Sequence, residues 1–249
     1  MKKITIHITI ILLLTSCSIK QKIEVGGDWS GYDYSYFCPS YCFSENGGKS
    51  NNLNVLDANH ISLAGIGCNI AIEKANEYIK QRGGQVFFNK LVFYDIDITY
   101  LDSVKRFDNK RPLYNLDKCG ETKYYIRYVF LQERSELYRF GIALNEKLEV
   151  ISKKSFPDIN RNPEFYNVIN PYKAYRIAIK KNKSIIKPIK SIELVYEENT
   201  DSFVWELIKE EDNDNQNEYE IGMIKINATT GEILNTSNNK GKRIINKSW

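Results

Sequence analysis

Two acidic residues in the middle of the chain have a spacing that suits chemistry. Asp95 and Asp97 stand two apart in the segment 94–98, whose other members are Tyr and Ile. Alternate side chains of an extended strand share one face, so the two carboxylates would lie side by side. Such a pair can act as general acid and base, or can hold a cation. The pattern is also typical of the solvent-facing side of a half-covered sheet, and we favour this second interpretation.

Nucleophilic catalysis would need partners that this chain scarcely offers. Beyond the first seventeen residues, His60 is the only histidine, and its neighbours Asn59 and Ile61 carry no nucleophile signature. The acidic segment 210–215 lacks the Gly and the terminal Glu of an EF-hand calcium loop, and we expect a solvated hairpin loop there. We therefore predict no catalytic residue, no metal site and no cofactor.

Aromatic residues crowd the segment 29–43. Tyr32, Tyr34 and Tyr36 alternate, so in an extended conformation they would share one side. Together with Trp29 they are candidates for an exposed contact strip for a protein or a glycan, because aromatic side chains bury much area at low entropic cost. The alternative, which we favour, is that this segment packs on the sheet.

The first sixteen residues predict a signal peptide. Met1-Lys2-Lys3 is a basic start, and an apolar run from Ile4 to Leu14 precedes two small residues. This run is shorter than the roughly 20 apolar residues that cross a bilayer. Removal of the two lysines lowers the formal charge from +4 to +2, which gives no support for nucleic-acid binding.

The segment Leu14-Thr15-Ser16-Cys17 resembles the lipobox of bacterial lipoproteins. That resemblance implies a lipid thioether on Cys17, cleavage before it and acylation of its amino group, and more than one acyl chain gives stable anchoring. The alternative is an ordinary secreted protein. Ser18 after the cysteine resembles enterobacterial lipoproteins of the outer membrane. Residues 19–22 lack the acidic cluster that marks surface display in some Bacteroidetes lipoproteins, so we expect a periplasm-facing position.

Four further cysteines follow, at positions 38, 42, 68 and 119. An even number in an oxidising compartment favours two disulfides, and four cysteines allow three connectivities. We favour Cys38–Cys42 with Cys68–Cys119, because the last two fall in one predicted structural unit. Zinc is the alternative, although the second close pair usual in structural zinc sites is absent.

Periodicity divides the rest of the chain into an irregular extension, residues 17–62, and two units, 63–157 and 158–249. The first unit shows a helical pattern from Cys68 to Ile79 with a stop at Gly83-Gly84. Strands are predicted at 86–88, 91–100, 124–131, 137–144 and 148–152. The second unit has a helix at 171–181 and strands at 192–196, 203–208, 219–226 and 232–234. We read an internal duplication of a helix followed by an antiparallel meander, an α+β fold.

The second unit resembles the PepSY family, a small cystatin-like domain of exported bacterial proteins. The resemblance rests on the segments 174–178, 203–207 and 225–234, with Asn227 where the family typically has Asp and Thr230-Gly231-Glu232 matching its closing turn. It implies tandem cystatin-like units and a propeptide-like, inhibitory or sensory module without shared catalytic residues.

From these patterns we expect a membrane-anchored, non-enzymatic module that binds a protein or peptide, with a peptidase as one candidate partner. An enzyme that uses Asp95 and Asp97 in a sheet cleft is the first alternative. A structural or assembly component of the envelope is the second. A polar cleft would favour the enzyme, whereas an exposed apolar or aromatic patch would favour the other two.

Overall fold

The computed structural model describes residue 26 and residues 40–45, 56–57, 60–99, 121–181, 189–213 and 218–242. These residues form two β-sheets and two α-helices, in agreement with the predicted α+β class. Each helix precedes an antiparallel meander in the chain.

The first sheet has five strands in the order β2-β1-β3-β4-β5. The strands are β1 (Ser40–Phe43), β2 (Leu56–Asp57), β3 (Leu91–Thr99), β4 (Tyr124–Gln132) and β5 (Ser135–Leu144). All neighbours are antiparallel except β1 and β2. The β4–β5 turn places Glu133 and Arg134 at positive φ, 49° and 67°, which matches the twist of a two-residue hairpin. The region predicted as irregular thus supplies two strands, because the pairing of β1 with β3, and of β2 with β1, outweighs its weak local signal.

Helix α1 (Ile66–Phe88) follows a short 3-10 helix (Ile61–Ala64) and packs on the first sheet. Cys68, Ala71, Ala75 and Ile79 are its buried stripe, at the spacing expected of one helix face. At the predicted stop the helix is kinked and does not end, because Gly84 has the non-helical angles φ 81° and ψ 162°. A last helical turn follows, so the predicted strand at 86–88 is wrong. Tertiary packing explains the difference: the Phe87 ring lies 4.8 Å from that of Phe165.

The second sheet has the order β6-β7-β8-β9 and is antiparallel throughout. Its strands are β6 (Ser191–Glu197), β7 (Ser202–Asn213), β8 (Glu218–Asn227) and β9 (Ile233–Lys242), preceded by α2 (Pro171–Lys181). Helix α2 has the predicted bounds and buries Ala174 and Ala178. The predicted turn before β9 is confirmed, with Gly231 at φ 79°. Residues 210–213 belong to β7, so the expected loop begins later than predicted.

One buried cluster joins the two sheets, with rings of Phe87, Phe130 and Phe203 in contact across it. Hydrogen bonds of Arg82 also connect the two sheets. Arg82 on α1 donates from Nη2 to Asp201 Oδ1 at 2.7 Å and from Nε to the Phe156 carbonyl at 2.9 Å. The loop between β6 and β7 is thereby tied to the first helix.

Candidate functional site

The two carboxylates singled out in the sequence lie in a buried polar cluster on the first sheet. A bulge at Tyr94 shifts the register of β3, so that Asp95 faces Arg127 on β4. Asp97 faces Cys42 on β1. Bulges re-aim side chains in this way, and here Asp95 and Asp97 share the face opposite the apolar residues that pack under α1.

Arg127 connects the cluster. Its Nε and Nη2 contact both oxygens of Asp95, with the Nη2–Oδ2 distance 2.8 Å, and Nη2 also donates to Asp97 Oδ1 at 3.1 Å. The exposed fractions of Asp95, Asp97 and Arg127 are 4%, 1% and 6%. The favoured interpretation of a solvent-facing carboxylate pair is therefore wrong. The guanidinium of Arg127 offsets the charge of one of the two carboxylates and hydrogen-bonds to both, which lowers the cost of burying this face.

The protonation of the cluster follows from its burial. Desolvation raises the pKa of Asp97 to about 6, against the opposing attraction of Arg127. Asp97 Oδ2 is buried and accepts no hydrogen bond from the described residues. Burial raises the pKa of Asp95 as well. The cluster therefore carries a carboxyl group that changes its charge near neutral pH, in a place closed to solvent.

Cys42 is the fourth member. Its thiol donates to Asp95 Oδ2 at 3.4 Å, and Arg127 Nη2 donates to its sulfur at the same distance. Burial first, and then the charges of Asp97 and Asp95, raise the pKa of this thiol far above the usual range. The thiol stays protonated at physiological pH and is a poor nucleophile.

Both described cysteines, Cys42 and Cys68, carry free thiols, so neither predicted disulfide is present. Cys42 points into the charged cluster, and Cys68 belongs to the buried stripe of α1. Their predicted partners, Cys38 and Cys119, lie outside the described residues. Within the described part of the chain no group of His, Cys, Asp or Glu side chains could hold a metal ion.

The remaining predicted residues are not brought to this cluster. The candidates Trp29, Tyr32, Tyr34 and Tyr36 all lie outside the described residues, as does Cys17. His60 is exposed just before the 3-10 helix. Among the described residues no histidine lies in the carboxylate cluster, and both carboxylates are almost wholly buried.

A cavity of about 310 Å³ lies between the β4–β5 turn and the start of α2. Gln132, Glu133, Glu136, Asn170 and Tyr172 are among its lining residues. Gln132 donates from Nε2 to the Val168 carbonyl at 3.0 Å, while its buried Oε1 has no donor among the described residues. The Tyr172 side chain is 55% exposed. Sequence reasoning missed this site because it joins segments more than thirty residues apart.

An apolar patch lies at the opposite end of the first sheet. It consists of Leu63, Ile66 and Ile70, whose exposed fractions are 71%, 79% and 42%. Ile66 and Ile70 are four residues apart in α1 and so lie on one side of the helix, and Leu63 belongs to the 3-10 helix that precedes it. This side is distinct from the buried stripe. The helical pattern in the sequence identified the stripe and left the patch unexplained.

Comparison with known proteins identifies the amino terminus alone. Curated proteins and solved structures give no significant match, so the PepSY resemblance and the tandem cystatin-like arrangement stay predictions. No helix in the described ranges is long and apolar enough to span a bilayer. Residues 1–18 match the prokaryotic membrane lipoprotein lipid attachment site, in agreement with the predicted lipobox and signal peptide. By this attachment site the chain is a lipid-anchored lipoprotein of a bacterial cell envelope.

Proposed function

We propose that the domain behind the lipid anchor is a non-enzymatic module that binds a protein or peptide, and that the cavity beside α2 receives one side chain of that partner. The cavity carries this proposal, because it combines a defined volume with polar groups from two separate segments. Its volume is at the lower end of the roughly 300–1,000 Å³ usual for small-molecule pockets. That size suits a single long side chain.

The chemistry of the lining favours a side chain rich in hydrogen-bond donors. Glu133 and Glu136 line the cavity and offer carboxylate oxygens. The exposed Tyr172 ring can attract a cation over its face. Within the chain, Arg139 already donates to Glu136 at 2.6 Å, so Glu133 is the carboxylate that we assign to the partner. A lysine or arginine side chain of the partner is the matching group.

Catalysis by the carboxylate pair is the less suitable function. Asp95 is held by two donors from Arg127, and both carboxylates are almost wholly buried. A general acid or base has to reach the reacting proton directly or through one water molecule. The cluster is better suited to stabilising the first sheet.

The location completes the proposal. Ser18 after the acylated cysteine supports the outer membrane, and the residues that follow lack an acidic cluster. We place the protein there, facing the periplasm, where the binding module would meet exported proteins.

A peptide-display selection against the mature chain with Cys17→Ser tests the binding function. We expect enrichment of peptides with Lys or Arg at one fixed position. Glu133→Gln should weaken the selected peptides at least fivefold, because it removes a carboxylate from the wall. The matched control is Glu146→Gln, an exposed position in another turn, which should leave affinity unchanged. Failure to enrich peptides, or enriched peptides that are insensitive to Glu133→Gln, would contradict the proposal.

A further inference from the structure

The patch consists of Leu63, Ile66 and Ile70, three large aliphatic residues exposed within eight positions of the chain where α1 begins. Ile66 is 79% exposed and Leu63 is 71% exposed, although α1 has its own buried stripe. Scattered single apolar residues on a surface are ordinary, whereas a contiguous group marks a contact with a partner or a membrane. Of these two, the membrane is always close to this domain, because the lipid attachment site lies at the amino terminus of the same chain.

The chain is tied to the folded domain only nine residues after the anchored cysteine. Gly26 donates from its amide to the Leu137 carbonyl at 2.9 Å, and its own carbonyl accepts from the Arg139 amide at 2.8 Å. Nine residues span at most about 30 Å even when fully extended. The membrane surface at Cys17 is therefore within about 30 Å of the middle of β5.

The patch lies within the same reach. A Cβ at Gly67 would be 3.3 Å from the Tyr124 hydroxyl, and Tyr124 pairs with Leu144 at the end of β5. Gly26 pairs with Tyr138, six residues before Leu144 on that strand. At about 3.3 Å per residue, Tyr138, beside Gly26, and Leu144, near the patch, are about 20 Å apart along β5. The chain from Cys17 to Gly26 is long enough to let the patch and the lipid lie in one membrane plane.

We propose that Leu63, Ile66 and Ile70 rest on the bilayer that holds the Cys17 lipid, with their side chains among the acyl chains just below the phospholipid headgroups. The acyl chains on Cys17 make the anchoring stable, and the patch adds a weaker membrane contact of its own that sets the orientation of the domain. The cavity lies at the other end of the first sheet, near the β4–β5 turn. This inference does not depend on what the cavity binds.

Photocrosslinking in intact envelopes tests the contact with the full, lipidated chain. Benzoylphenylalanine replaces Ile66, or Val86 as the matched control, which is 50% exposed near the other end of the same helix. We expect a phospholipid adduct by mass spectrometry at position 66, at least tenfold stronger than at 86. A protein adduct at 66, a dimer through 66, no adduct there, or equal lipid adducts at both positions would overturn the proposal.

Vesicle flotation gives a second, independent readout. The mature chain with Cys17→Ser is mixed with vesicles of phosphatidylethanolamine and phosphatidylglycerol. Ile66→Asp should lower the bound fraction at least tenfold, and Val86→Asp less than twofold, with circular dichroism confirming that both variants are folded. Absence of binding by the parent chain, or equal losses in the two variants, would count against a membrane contact at the patch.

Discussion

The buried cluster around Asp97 makes the stability of the domain depend on pH. The pKa of Asp97 is about 6 in the folded protein, against an ordinary value of 3.8. Between these values the folded state binds more protons than the unfolded state, so the free energy of unfolding falls as pH rises. This contribution is fully present below about pH 4 and is lost above about pH 6. The difference corresponds to about 3 kcal/mol.

Asp97→Asn isolates this effect. The amide keeps the shape of the side chain and stays neutral. From pH 4 to pH 8 the free energy of unfolding of the parent should therefore fall by about 3 kcal/mol relative to that of the variant. Urea unfolding of the Cys17→Ser chain at a series of pH values measures the change through the midpoint and the slope. Comparing the two proteins across pH cancels the titration of all other groups that do not contact the cluster.

Asp95→Asn is the contrasting variant. Asp95 accepts two hydrogen bonds from Arg127, so its replacement leaves the buried guanidinium poorly paired and should destabilise the protein at every pH. The reasoning is refuted if the free energy of unfolding of Asp97→Asn changes between pH 4 and pH 8 by the same amount as that of the parent.

Three further outcomes follow from other contacts. Gly141→Ala should cost about 1–3 kcal/mol of stability, measured by urea unfolding, because a Cβ there would be 2.2 Å from Cζ of the Tyr125 ring; an unchanged midpoint would show that the ring moves freely. Asp201→Asn should cost about 1–3 kcal/mol because it removes the closest carboxylate of Arg82, which keeps Asp158 at 3.6 Å and the Phe156 carbonyl; adding Arg82→Leu should recover part of that loss, and additive losses would exclude the coupling of Arg82 with Asp201. The Cys42 thiol should resist iodoacetamide in the native protein and react in guanidinium chloride, as peptide mapping would show; rapid native labelling would contradict its burial and raised pKa.

Local sequence signals predicted much of the secondary structure. Helix α2 begins and ends at the predicted residues, and β3, β4 and β8 differ from prediction by one residue at most at each end. These elements carry their own information, because apolar periodicity and turn residues act over a few positions. The lipobox is also local, which is why Cys17 was identified without any structure.

The tertiary structure alone decided the roles of the charged and sulfur-bearing residues. Asp95 and Asp97 have the spacing of a solvent-facing pair, but Arg127 lies opposite on a strand thirty residues later and makes burial possible. The thiol of Cys42 lies in the same cluster, whereas the even number of cysteines had predicted a disulfide for it. The cavity arises likewise from residues that folding brings together from distant segments. The sequence by itself determined the lipid attachment site at the amino terminus and the positions of most helices and strands. Which side chains are buried together was decided by contacts between distant strands, since pairing across a sheet is not encoded in local periodicity.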